Sequence, residues 1–143
     1  LDRHLKRLLD AGLLLHSGEG QHRRYRFKHP LVQEAAYQSL LKSRRKTLHA
    51  RAADALQATA HLYPPSPELL AWHCGGATRF ERAAPHWQRA AEVALAQSAY
   101  IEAIACLRAG LDAIEQLADN SERDALEFRQ RALLGIALTA AHG

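Results

Sequence analysis

Residues Ala84 to Leu117 read APHWQRAAEVALAQSAYIEAIACLRAGLDAIEQL, and this stretch decides the fold. Trp87, Ala90, Ala91 and Ala94 recur at three- and four-residue spacing, and so do Ala103, Leu107 and Gly110, so each set lies along one face of a helix. Ser98 stands between the two sets, where a turn is needed. Small residues dominate both inner faces, which lets the helices approach closely around one large ring. The expected unit is a pair of helices, about 80 to 97 and 99 to 117, packed through Trp87, Ala91, Ala103 and Leu107.

The same punctuation extends in both directions. Asp119-Asn120-Ser121 breaks the pattern before a helix at about 122 to 142, and Thr78 breaks it after one at about 67 to 77. Cys74, Thr78, Ala83 and Trp87 repeat the roles seen in the central hairpin, so one helix serves two overlapping hairpins. Pro64-Pro65-Ser66-Pro67 ends a long Ala-rich helix, expected from a Ser43 cap through about Leu62, with Leu48, Ala52, Ala55, Leu56 and Ala60 on its inner face.

The first forty residues obey a different rhythm. Leu5, Leu8, Leu9, Ala11 and Leu13 mark an amphipathic helix over Leu1 to Leu14 that Gly12 closes. Leu13-Leu14-Leu15-His16 and Arg23 to Lys28 flank the turn-former cluster Ser17-Gly18-Glu19-Gly20, and Tyr25 and Phe27 alternate with Arg24, Arg26 and Lys28. Period two on both sides of such a turn predicts a β-hairpin, with the two aromatics facing inward. Pro30, after His29, opens a helix over Leu31 to Leu41 that offers Leu31, Ala35, Leu40 and Leu41 to a core. The fold class expected is therefore mainly α, with a partial winged-helix unit at 1–41 and an α-helical repeat array at 42–143.

Composition narrows the function classes. No run of eighteen apolar residues and no signal or lipidation motif directs the chain to a membrane. Two cysteines, Cys74 and Cys106, are too few for a disulfide framework, which suggests a reducing, cytoplasmic setting. The chain lacks Met, opens on Leu1 within a helical pattern and stops at Gly143 after another, as a fragment of a larger protein would. Residues 1 to 50 carry 11 Lys/Arg against 4 Asp/Glu, whereas the remainder carries 8 against 11. A basic head thus joins a mildly acidic body.

Two resemblances follow. Trp87, Ala90, Ala91, Ala94, Ser98, Ala103, Leu107 and Gly110 resemble the tetratricopeptide pattern, departing from it at Ala94, where an aromatic is usual, and at Gly110, where Ala is usual. The run Tyr25-Arg26-Phe27-Lys28-His29-Pro30-Leu31-Val32-Gln33-Glu34-Ala35-Ala36-Tyr37-Gln38-Ser39-Leu40-Leu41, with Arg44-Arg45 and Leu48-His49 downstream, looks like the junction of winged helix and helical repeats in bacterial signal-transduction ATPases with numerous domains, often fused to adenylate/guanylate cyclase domains. That resemblance implies a non-catalytic relay arm whose partners are other domains of the same parent or another protein. It also makes His29 a nucleotide-phosphate sensor in the parent, beside the structural role of helping to cap its helix while Tyr37 seals the join to the repeats.

The residues themselves offer little chemistry. A phosphate-cradling loop needs Lys-Ser/Thr after its glycines, and Ser17-Gly18-Glu19-Gly20 has none, so neither enzymatic activity nor a cofactor is expected. His73-Cys74 with His86 and Cys106 is the best metal candidate, but its spacing fits no compact site, and these residues are expected to pack rather than ligate. Arg23, Arg24, Arg26 and Lys28 on the hairpin form the contact surface for a partner or, in the alternative reading of a transcriptional-regulator fragment, for a DNA backbone.

Overall fold

The computed structural model describes residues 2–18, 20 and 23–142; Leu1, Gly143 and Glu19 of the expected turn lie outside the described residues, as do Gln21 and His22. Among the described residues it holds seven helices and one two-stranded antiparallel sheet. No helix among them is long and apolar enough to cross a membrane. Two compact units divide the chain, Leu1–Lys42 and Ser43–Gly143.

In the first unit, α1 (Asp2–Asp10) stops four residues short of the expected Leu14. Gly12 takes a φ of 67°, its N–H donates to the Leu9 carbonyl at 2.9 Å, and the Leu13 N–H donates to the Leu8 carbonyl at 3.0 Å. This paired closure satisfies the last carbonyls and turns the chain outward. Strands β1 (Leu14–Ser17) and β2 (Arg24–Phe27) pair with Leu14 opposite Phe27, Leu15 opposite Arg26, His16 opposite Tyr25 and Ser17 opposite Arg24. Leu14, which shares the face of Tyr25 and Phe27, is buried, but the two aromatics stay 39% and 37% exposed, so the inward face expected of them is only partly covered. Helix α2 (Pro30–Gln38) has Pro30 in its first turn and no buried residue; Leu31 and Leu41 are 83% and 77% exposed, and Ala35 is exposed as well. A unit this small holds too little chain to cover an apolar face on every element it contains.

Helix α3 (Lys42–Ala58) begins one residue before Ser43, which therefore lies inside the helix rather than at its cap, and the Thr47 hydroxyl donates to the Ser43 carbonyl at 3.0 Å. The helix ends at Ala58, four residues before the expected Leu62. Its inner face is also shifted: His49 and Ala53 are buried, with Ala52 and Leu56 half-buried beside them, while Leu48 and Ala55 are exposed. Ser66 then caps α4 (Pro67–Gly76), accepting from the Leu69 N–H at 3.2 Å, and Pro67 occupies the first turn.

Helices α5 (Phe80–Ala96), α6 (Tyr100–Ile114) and α7 (Ser121–His142) follow the expected breaks closely. Thr78 and Ser98 each take a positive φ, 57° and 59°, and each is flanked by the same pair of backbone bonds seen at Gly12. The two turns that stack α4 on α5 and α5 on α6 are thus one device used twice, with hydroxyl residues where glycine would be unstrained. Asn120 opens α7 by accepting from the Arg123 N–H at 2.9 Å.

Two buried clusters run through this unit. One holds Ala53, Cys74, Ala83, Ala84, Ala113 and Ile114, the other Ala90, Ala91, Ala103, Cys106, Leu107 and Ala137, and the half-buried Trp87 packs against both. Gly110 faces the fully buried Gln130, whose Nε2 donates to the Ala84 carbonyl at 2.8 Å. A Cβ at 110 would overlap the Gln130 amide, approaching its Cδ to 2.9 Å. Glycine therefore stands at this site because a buried amide from α7 occupies the space.

Replacing Trp87 with Ala should lower stability by about 2–3 kcal/mol, less than for a wholly enclosed indole, whereas Trp72→Ala, at a position 49% exposed, should cost under about 1 kcal/mol. Thermal melting of the two variants by circular dichroism distinguishes them. Gly110→Ala should cost about 1–3 kcal/mol by the same measurement, because the overlap forces Gln130 from its bond to α5.

Candidate functional site

The basic hairpin is presented as a solvent-facing surface. All of β2 is exposed, with Arg24 and Arg26 on one face, opposite Ser17 and Leu15, and Tyr25 and Phe27 on the other; Arg23 and Lys28 flank it and are exposed too. His29 sits at the N-cap of α2 with extended φ and ψ, but its ring makes no capping bond. Its carbonyl instead receives the Val32 and Gln33 N–H groups, so the expected side-chain cap is not formed. His29 is exposed.

The sulfur-containing cluster does not assemble. Cys74 and Cys106 are buried free thiols in different core clusters, and burial pushes both above the ordinary thiol pKa, which disfavours the thiolate a metal requires. No group of three metal-binding side chains forms among the described residues.

His73 meets a partner that spacing did not suggest. Its Nδ1 lies 3.2 Å from Nδ1 of His49, which projects from α3 into the contact with α4. His49 is 4% exposed, and its ring fits there only because residue 76 is glycine: a Cβ at Gly76 would come within 2.6 Å of the ring. Trp72 completes the group, its ring centroid 4.5 Å from that of His49 and 4.8 Å from that of His73, both edge-on. Burial, followed by the nearby Arg45 charge, lowers the His49 pKa; burial, followed by His49 itself, lowers that of His73. Both imidazoles are therefore neutral at pH 7, one donating and the other accepting. A buried histidine on the polar-looking flank of α3 carries no periodic signal, and only the juxtaposition with Gly76 reveals it.

The second unit also carries an open cleft of about 380 Å³ above α5. Helices α4 and α6 both pack on α5, and in the gap between them Trp87, Ala90, Val93 and Ala94 form the floor. Ala105, Cys106 and Ala109 line the α6 wall, while Glu68 and Glu102 stand at the mouth and push the Cys106 thiol up further. The small side chain at 94 keeps the cleft open; an aromatic there would fill it. Beside α3, Arg79 grips Asp54 through two bonds of 2.5 and 3.1 Å, and Arg82 bonds Gln57, tying α3 to the start of α5.

No family model matches the chain, and no solved structure matches it. It is similar to an uncharacterized protein of Rhizobium meliloti (strain 1021), 30% identical over 120 residues. That alignment covers 83% of this chain and 12% of the relative, so the chain spans about an eighth of the length of the curated relative it matches.

The histidine shifts fix the sign of a pH effect. His49, His73 and His86 all have folded-state pKa values below the ordinary 6.5, in the last case through burial and then Arg82, so the native state binds fewer protons than the unfolded one. The stability they contribute is present above about pH 6.5 and is lost as pH falls from there through the lowered values. Urea melts should show a lower midpoint at pH 5.5 than at pH 7.5, and His73→Gln should shrink that difference.

Proposed function

We propose that this chain is a non-catalytic interaction and relay segment of a multidomain bacterial signalling protein, of the ATPase or adenylate/guanylate cyclase kind. The observation that carries the reading is the open, apolar cleft along α5, an exposed seat bounded by helices rather than an enclosed pocket of converging reactive groups. Tetratricopeptide-like pairing is the finer part of the same proposal: the turns at Thr78 and Ser98 repeat one geometry, and Trp87 bridges successive packing layers. The much greater length of the Rhizobium relative fits a segment that works within a larger chain. A cytoplasmic location belongs to this proposal too.

Leu31, Leu41, Ile101 and Phe128 are each more than 70% exposed and supply further apolar contact for neighbouring domains or a protein partner. In the parent, His29 is placed by resemblance as a phosphate sensor; its exposed N-cap position leaves its ring accessible to such a ligand. One observation favours a second reading, a DNA-binding winged-helix fragment: β2 offers Arg24 and Arg26 together on one exposed face, with Arg23 and Lys28 at its ends.

Filling the cleft tests the first reading. Ala94→Trp in the parent protein should change nucleotide turnover severalfold while leaving the melting temperature of this segment within a few degrees; unchanged turnover would remove the relay role. For the second reading, duplex DNA binding at physiological salt is measured by fluorescence anisotropy, with Arg23, Arg24 and Arg26 replaced by Gln. Sequence-specific binding abolished by the triple substitution would put the DNA reading first.

A further inference from the structure

We propose that His49 and His73 form a two-histidine site for a divalent ion of the zinc, nickel and copper class. Two imidazoles bound through one nitrogen each to a tetrahedral ion, with metal–nitrogen bonds of about 2.0–2.1 Å, hold those nitrogens about 3.3 Å apart and their ring centroids about 5 Å apart. Here the Nδ1 atoms are 3.2 Å apart and the centroids 5.1 Å. A straight imidazole–imidazole hydrogen bond of that length would separate the centroids by about 5.5 Å, so the rings are bent toward each other relative to a linear donor–acceptor line. Both nitrogen separations and ring separations suit convergence on one ion.

The surroundings hold that geometry in place. Gly76 admits the His49 ring, where a Cβ would overlap it, and Trp72 lies edge-on to both imidazoles. His49 is buried whereas His73 is only half-buried, so an ion between them keeps its remaining positions toward solvent, where water completes the coordination. Nitrogen ligands select this borderline class over magnesium and calcium, which take oxygen. Binding needs a lone pair at each Nδ1. The imidazole that donates the hydrogen bond moves its proton to Nε2, the other already presents its lone pair, and the hydrated ion gives up two waters. No proton leaves the neutral pair. The Arg45 charge beside His49 opposes a cation and limits affinity.

The test is titration of the chelator-stripped chain with zinc chloride at pH 7.5, followed by calorimetry and thermal melting. One equivalent should bind, and at tenfold over Kd the melting temperature should rise by about 4 °C or more. Magnesium should do neither. Outer-shell partners of metal ligands are already worth about 10- to 100-fold in affinity, so His73→Gln should weaken zinc by about tenfold or more, whereas His86→Ala should leave it unchanged. Arg45→Gln should tighten binding severalfold, and because it changes no ligand it decides the matter even if His49→Gln fails to fold. Absence of binding up to millimolar zinc overturns the proposal. So does binding that His73→Gln and Arg45→Gln both leave unaltered, which would mark an adventitious ion on other histidines.

Discussion

Close approach of helices through alanine is the constraint on which the second unit rests. Ala90 and Ala91 on α5 cluster with Ala103 on α6, and Ala83 and Ala84 cluster with Ala113 of the same helix; each is buried. Methyl-sized side chains bring backbones together but bury little area individually, so the stack depends on the few large groups that span its layers. Trp87 is the one that touches both clusters. Leu107 and Ile114 fill the space that α6 leaves against its neighbours.

Close approach has a second consequence, which is that polar side chains are accommodated by glycine. Gln130 reaches across to the Ala84 carbonyl through the space at Gly110, and His49 reaches α4 through the space at Gly76. Each replaces apolar packing with a directional bond that fixes one helix against another. A buried amide or imidazole tolerates misplacement poorly, so these contacts specify register as much as they stabilise. Glycine at 110 is explained by its partner on α7, whose buried amide occupies the space a side chain would take.

The cleft over α5 and the histidine pair sit on different contacts of α4, one facing α6 and the other facing α3. The cleft takes Pro67 and Glu68 from the first turn of this ten-residue helix, and the histidine pair takes His73 from its second half. A short helix capped by Ser66 and closed by a left-handed Thr78 has few ways to adjust other than as a body.

The sequence by itself determined the mainly helical class, the hairpin, and the breaks at Gly12, Thr78, Ser98 and Asn120, because turns and caps are local and their signals lie within a few residues of their effects. It also marked Trp87 as the ring between helices, since one large side chain among alanines is legible from spacing alone. It missed the face of α3 by one residue, gave Tyr25, Phe27, Leu31 and Leu41 a core they do not enter, and grouped His73 with Cys74 and His86. Only the tertiary structure joined His73 to His49, 24 residues away, and Gly110 to Gln130. Those choices depend on which helix lies opposite which, and helical periodicity fixes the direction of a side chain without naming what it meets.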